Sequence, residues 1–180
     1  MNAAGPTLAA LANPASISED ILVQVLEPYS YKGCRYLRDA AVEVVDGAVL
    51  AEGNFSIGES AYIRSTGHFN AVELVLGFNQ LAYSAFAPVI GDGLLPFFDG
   101  WTFDDYLKHQ LASMFIRTSS SRFRRPIDAT KFSGRLHCTN LEIVERSVRY
   151  LRVPCAIEFW DENGGFASGE FELAALNVPG

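Results

Sequence analysis

Immediately before a long apolar stretch, the chain gathers Glu59-Ser-Ala-Tyr-Ile-Arg-Ser-Thr-Gly-His-Phe-Asn70, its densest polar cluster outside the strand-like segments. The apolar stretch has helical character, so the end of the cluster stands at a helix start. A helix start leaves backbone N–H groups without intrahelical partners and carries the positive end of the peptide dipoles. Both hold a developing oxyanion, such as that of a thioester carbonyl. His68 exchanges protons near neutral pH. Tyr62 and Asn70 can hydrogen-bond, and Gly67 lets a substrate approach the backbone closely. Each residue also has a plain structural use: Asn70 as a helix cap, Tyr62 as a core aromatic, His68 as a packed or exposed histidine. Glu73 either complements the helix dipole or serves as the general base of a hydrolase. Taken alone, the residues leave both readings open.

Other constellations carry less. Cys34, Cys138 and Cys155 are odd in number, without a CxxC pair or metal-ligand spacing. They read as reduced thiols packed like small apolar residues, with Cys34 the best placed if one were a nucleophile. No GxSxG elbow, P-loop or dinucleotide-binding glycine pattern occurs. Asp104 and Asp105 read as helix-start residues. Neither a metal nor another cofactor is expected.

The elements that must position the cluster follow from patterning. Ser18 opens a short helix with Ile21, Leu22, Val25 and Leu26 on one face, stopped by Pro28. Residues 36–57 alternate around Asp46-Gly47, a hairpin signal. Residues 70–86 are apolar nearly all round, so that helix must be buried on all sides, with Pro88 ending it. A loop over 91–100 and a shorter helix within 101–115 come next. Strands follow over 113–125, 131–144, 147–160 and 166–178, and Pro154 marks a bulge or an edge. The last two are joined through Glu162-Asn-Gly-Gly165. In the final strand Ala167, Gly169, Phe171 and Leu173 alternate with Ser168, Glu170 and Glu172, one face dry and one wet.

At 180 residues, 49% hydrophobic and 19% charged, the chain suits one domain with a substantial core. We expect a flexible arm over 1–16 and a single domain over 17–180. No apolar run reaches the roughly 18–20 residues that span a bilayer. The first basic residue is Lys32, so a positively charged signal-peptide start is missing, and a cytoplasmic protein without membrane attachment is expected. A net charge of −7 argues against nucleic acid as partner. The charge is unevenly spread: residues 117–152 hold nine basic side chains against three acids. That block suits docking of an acidic or phosphorylated partner, or else is a solvated strand face. A hairpin, one buried helix and several long antiparallel strands describe an α+β protein, an antiparallel sheet wrapped around a long central helix. The hot-dog fold is its best-known form, and a homodimer or higher homo-oligomer is expected from it.

Specific strings carry a further inference. Glu27-Pro-Tyr-Ser-Tyr-Lys-Gly-Cys-Arg-Tyr36, Gly53-Asn-Phe-Ser-Ile-Gly-Glu-Ser-Ala-Tyr62, Thr66-Gly-His-Phe-Asn70, Phe78-Asn-Gln-Leu-Ala-Tyr83, Ser120-Ser-Arg-Phe-Arg124 and Val153-Pro-Cys-Ala-Ile-Glu-Phe-Trp160 resemble the FcoT-type family of hot-dog thioesterase-like enzymes. The resemblance covers about residues 20–178. It implies glycine addition to the β-carbon of a (2E)-enoyl thioester on an acyl carrier protein. The product is a 3-(carboxymethylamino)acyl thioester, used for isonitrile lipopeptides or β-amino acid units. It implies, as the alternative, hydrolysis of acyl-CoA or acyl-carrier thioesters. The family's site positions correspond to Tyr29, Tyr62, His68, Asn70 and Asn79. His68 would take the glycine ammonium proton, Asn70 and the helix-start N–H groups would hold the enolate, and Tyr62 and Tyr29 would orient the substrates. Charge logic adds Lys32, Arg35 or Arg64 as partner of the glycine carboxylate. Asn70 and Asn79, nine residues apart, point to opposite sides of a regular helix, so both serve one site only if Asn70 precedes it.

Overall fold

The computed structural model describes residues 6–179. Eight antiparallel strands form one sheet: β1 (Ala15–Ser16), β2 (Leu37–Val45), β3 (Ala48–Phe55), β4 (Met114–Arg125), β5 (Phe132–Cys138), β6 (Glu142–Glu145), β7 (Arg149–Trp160) and β8 (Phe166–Ala175). The order is β1-β2-β3-β5-β7-β8-β4, with β6 paired to β7. Four helices accompany it: α1 (Glu19–Val25), α2 (Glu27–Ser30), α3 (Ala71–Gly91) and α4 (Phe103–His109). The hairpin turn is as patterned, with Asp46 at φ 50° and Gly47 at φ 77° between β2 and β3. The described part of the 1–16 arm crosses the outer sheet face. Glu158 on β7 accepts from the Thr7 and Leu8 backbone N–H groups, Arg135 on β5 donates to the Leu8 carbonyl, and Glu43 on β2 accepts from Ala12 and Asn13.

α3 is the core of the molecule. Leu74, Phe78, Leu81, Ala85, Phe86 and Ile90 are all fully buried. Close approach to the sheet depends on missing side chains. A Cβ at Gly134 would come within 2.7 Å of the Phe159 ring, and one at Gly77 within 3.1 Å of the same ring. Phe159 therefore fills the space these glycines leave, with Phe55, Phe69 and Phe132 packed around it.

Several expectations need correction. The expected absence of a span-length apolar segment does not hold, because α3 has 21 residues and enough hydropathy to cross a membrane. Its apolar window is 67% buried inside the protein, which accounts for that composition as a core helix. Pro88 does not end α3; it sits in the last turn. There it forfeits a single bond to the Ser84 carbonyl position, a loss the buried helix absorbs. The true stop is Gly93 at φ 66°, with Gly93 N–H bonded to the Ile90 carbonyl and Leu94 N–H to the Val89 carbonyl. Pro28 likewise lies inside the first turn of α2, where its missing N–H costs nothing. The 131–144 strand is two strands, and Pro154 lies in a central strand, not at an edge. β5 pairing ends at Cys138–Cys155 and β6 pairing begins at Glu142–Arg152, so the prolyl nitrogen faces the gap between them.

Candidate active site

Asn70 precedes the helix, with extended dihedrals (φ −124°, ψ 178°), and is the N-cap of α3. Its Oδ1 accepts from Val72 N–H at 3.0 Å, from Glu73 N–H at 3.2 Å and from the Tyr62 hydroxyl at 2.9 Å. Glu73 returns the bond, its Oε2 accepting from Asn70 N–H at 3.1 Å. Three donors around one oxygen settle which end of the amide is which. The other end, Nδ2, is buried and has no partner among the described residues. Tyr62 is itself 47% exposed, so its hydroxyl serves the cap without being a core aromatic. His68 and Asn70 line a cleft of about 390 Å³ together with Phe69, Ala71, Phe123, Arg124, Arg125 and Pro126. Its two walls are tied together: Phe69 N–H donates to the Ile127 carbonyl at 3.1 Å, and the Phe69 and Phe123 rings lie 6.2 Å apart. Gly67 at φ 80° turns the chain into this wall. His68 is exposed, and its ring makes no hydrogen bond among the described residues.

The helix start offers fewer free donors than its sequence suggests. Asn70, Val72 and Glu73 N–H are all consumed by the reciprocal cap, and Leu74 N–H bonds to the Asn70 carbonyl. Ala71 N–H alone has no partner among the described residues.

The remaining candidates do not line this cleft, and one of them, Asn79, lies midway along α3. Asn79 is half-buried there, roughly 13 Å along the axis from Asn70 at 1.5 Å per residue. Tyr29 lies by Cys34 and Tyr83, and burial pushes its phenol well above the ordinary tyrosine range. Burial likewise raises the Cys34 thiol, whose Sγ donates to the Tyr29 carbonyl, so it is no activated nucleophile. Lys32 rests over the Tyr31 ring. Arg35 is committed: its two terminal nitrogens each lie 2.9 Å from a Glu19 oxygen, and its Nε donates to the Leu37 carbonyl. Arg64 is exposed in the polar cluster and does not line the cleft. Among the described residues no three His, Cys, Asp or Glu side chains come together to hold a metal.

Residues 24–175 match the FcoT-like thioesterase domain. The chain belongs to that family. A relative from Mycobacterium marinum, named (2E)-enoyl-[ACP] glycyltransferase, is 68% identical over 93% of this chain and 91% of its own. A relative of the same name from Mycobacterium tuberculosis is 65% identical over 91% and 89%. One from Streptomyces coeruleorubidus, again so named, is 39% identical over 89% and 98%. The crystal structure of a proposed thioesterase from Shewanella oneidensis shares the hot-dog fold at TM-score 0.51, with 9% identity and coverage of 88% and 99%.

In this FcoT-like chain the 29–37 segment is tied to the polar cluster and to α3 by residues that sequence patterning did not single out. Tyr36, buried at the start of β2, accepts from Ala61 N–H at 2.9 Å and lies by Tyr62 and Glu73; burial raises its phenol. Gln80, fully buried on α3, accepts from Tyr36 and Leu37 N–H and donates to the Cys34 carbonyl. It thus seats the 29–36 segment against the helix. A glutamine in the middle of a mostly apolar helix was the available signal. Nothing in the spacing of Tyr36 marks it.

Proposed function

We propose that this chain adds glycine to the β-carbon of a (2E)-enoyl thioester on an acyl carrier protein. The carrying observation is the Asn70 amide: its oxygen is pinned by three donors, and its N–H₂ is buried, unpaired and beside the His68 cleft. A donor fixed in this way costs no reorganisation when charge arrives. Identity of 65–68% with proteins named for this reaction supports the same reading.

Glycine is protonated on nitrogen at neutral pH. His68 removes that proton, and the freed lone pair forms the C3–N bond. The C2=C3 electrons move onto the thioester oxygen as an enolate, which accepts from Asn70 Nδ2–H and Ala71 N–H. The enolate then collapses, C2 takes the proton back from His68, and the thioester survives. Tyr62 acts through Asn70, and the thioester is itself the electron sink. Asn79, farther along α3, and Tyr29 on α2 would contact the acyl or pantetheine portion. Hydrolysis would use the same cleft with water as nucleophile. Glu73, the carboxylate such a reaction would need as base, is occupied by the helix cap.

Arg122 and Arg124 line a groove of about 510 Å³ on the outer sheet face, and we assign that face to the acidic carrier or its phosphate. A homodimer is also proposed: β4 ends the sheet with one edge unpaired among the described residues, and Val72 on α3 is 46% exposed. Three free buried thiols suit a reducing cytoplasm. The test follows loss of the conjugated enoyl absorbance and release of free thiol in parallel, with and without glycine. Absorbance loss that needs glycine, with no thiol release, is the expected outcome. Glycine-independent thiol release would refute it.

A further inference from the structure

The nucleophile's carboxylate needs a partner close to where its amine reacts, because the carboxyl carbon of an α-amino acid lies about 2.5 Å from the nitrogen. The cations named from sequence serve poorly. Arg35 is held by Glu19, Lys32 lies over Tyr31, and Arg64 is outside the cleft lining. The cleft that holds His68 and Asn70 has two cationic residues in its wall, Arg124 and Arg125, and no acid.

These two differ. Arg124 lines both the cleft and the outer groove, and its guanidinium is 5.5 Å from the Phe166 ring. Arg125 lines the cleft and not that groove, and has no ion pair among the described residues. Arg122, Arg124 and Arg146 likewise make no ion pair among the described residues, but of these three only Arg124 lines the cleft. Of the nine basic residues in the 117–152 block, Arg117, Lys131, Arg135, Arg149 and Arg152 are each paired with a glutamate. A break in register between Phe123 and Arg125, where β4 slips against β8, sets Arg125 off from the alternation of the strand. Such irregularities re-aim side chains beside active sites. Phe69, Phe123 and Pro126 supply an apolar wall, which strengthens any charge pair formed against it.

We propose that Arg125 receives the α-carboxylate of the amino acid nucleophile, and so makes the enzyme select amino acids over simple amines. This rests on the glycine-addition reading above. The chemistry is recognition of an anionic oxygen group, and the carrier's phosphate is the competing source of one. The test compares wild type, Arg125→Gln and Arg125→Lys in steady-state kinetics against glycine, glycinamide and the enoyl carrier. Glycinamide keeps the amine and lacks the charge. In Arg125→Gln the KM for glycine should rise at least tenfold, the range of a lost charge-assisted hydrogen bond. The wild-type preference for glycine over glycinamide should collapse, and Arg125→Lys should restore part of it. An unchanged glycine KM overturns the assignment, as does a parallel loss with both amines. A rise confined to the carrier KM overturns it too, and assigns Arg125 to the phosphate. Wild type that consumes no glycine refutes the function and this assignment together; wild type that adds glycine while Arg125→Gln behaves identically refutes the assignment alone.

Discussion

The Oδ1 of Asn70 caps α3, the proposed mechanism uses its Nδ2, and a substitution can separate the two. Asn70→Asp keeps an oxygen to cap α3 and loses the Nδ2–H donor. Single-turnover rates should fall about 10²-fold or more, the usual cost of one oxyanion donor, while the thermal unfolding midpoint stays near wild type. Tyr62→Phe removes one of three bonds to Oδ1. The expected loss is several-fold in the same assay, in keeping with about 1 kcal/mol for a neutral hydrogen bond, with no change in unfolding. Asn70 reads from sequence as a cap or as a catalytic donor; the structure shows the cap and leaves Nδ2 unpartnered, available for the donor role proposed above. The distinction was invisible in sequence because it depends on Tyr62 folding back eight residues to occupy the oxygen. Arg35 shows the opposite failure: its charge was visible, its commitment to Glu19 across sixteen residues was not.

At the scale of elements, apolar periodicity located α1, α3 and α4 and Asp-Gly located the β2–β3 hairpin, since both report on local conformation, whereas α2, β1 and the split between β5 and β6 carried no such signal. Ends were harder to read. Pro88 looks like a terminator to local rules, yet a helix buried on most of its surface keeps its last turn through packing. Nothing in the sequence marks Gly77 and Gly134, whose missing side chains leave room for the Phe159 ring. Gly134→Ala should therefore cost about 1–3 kcal/mol of stability, the range for overpacking, measured by denaturant unfolding. The cap of α4 offers a pH test. Asp105 is held down to about 2 by bonds from the Thr102 hydroxyl and backbone N–H, with Lys108 adding to them. Its folded value lies below the unfolded one of about 3.9. Its stabilisation is thus complete above that unfolded value and disappears as pH falls through about 2. Asp105→Asn should lower the unfolding midpoint at pH 7, and the difference from wild type should close near the acid limit of that window.

For the whole molecule, charge was readable as a block, but its three-dimensional sorting was not. Arg117, Lys131, Arg135 and Arg152 pair with glutamates outside the block, and Arg149 pairs with Glu145 inside it. Of the four left over, Arg122, Arg124 and Arg125 gather at one end of β4, and Arg146 lies apart, just before β7. If the carrier docks there, Arg122→Glu should raise the KM for carrier-bound substrate steeply at low salt and little at high salt. A pantetheine thioester without the carrier should be indifferent to the change. The most direct test of the account is the intact mass of an enoyl-loaded carrier protein after incubation with this enzyme and ¹⁵N-glycine. A carrier that gains one labelled glycine and keeps its acyl chain is the predicted result; a carrier stripped of its acyl chain, with no label retained, contradicts it.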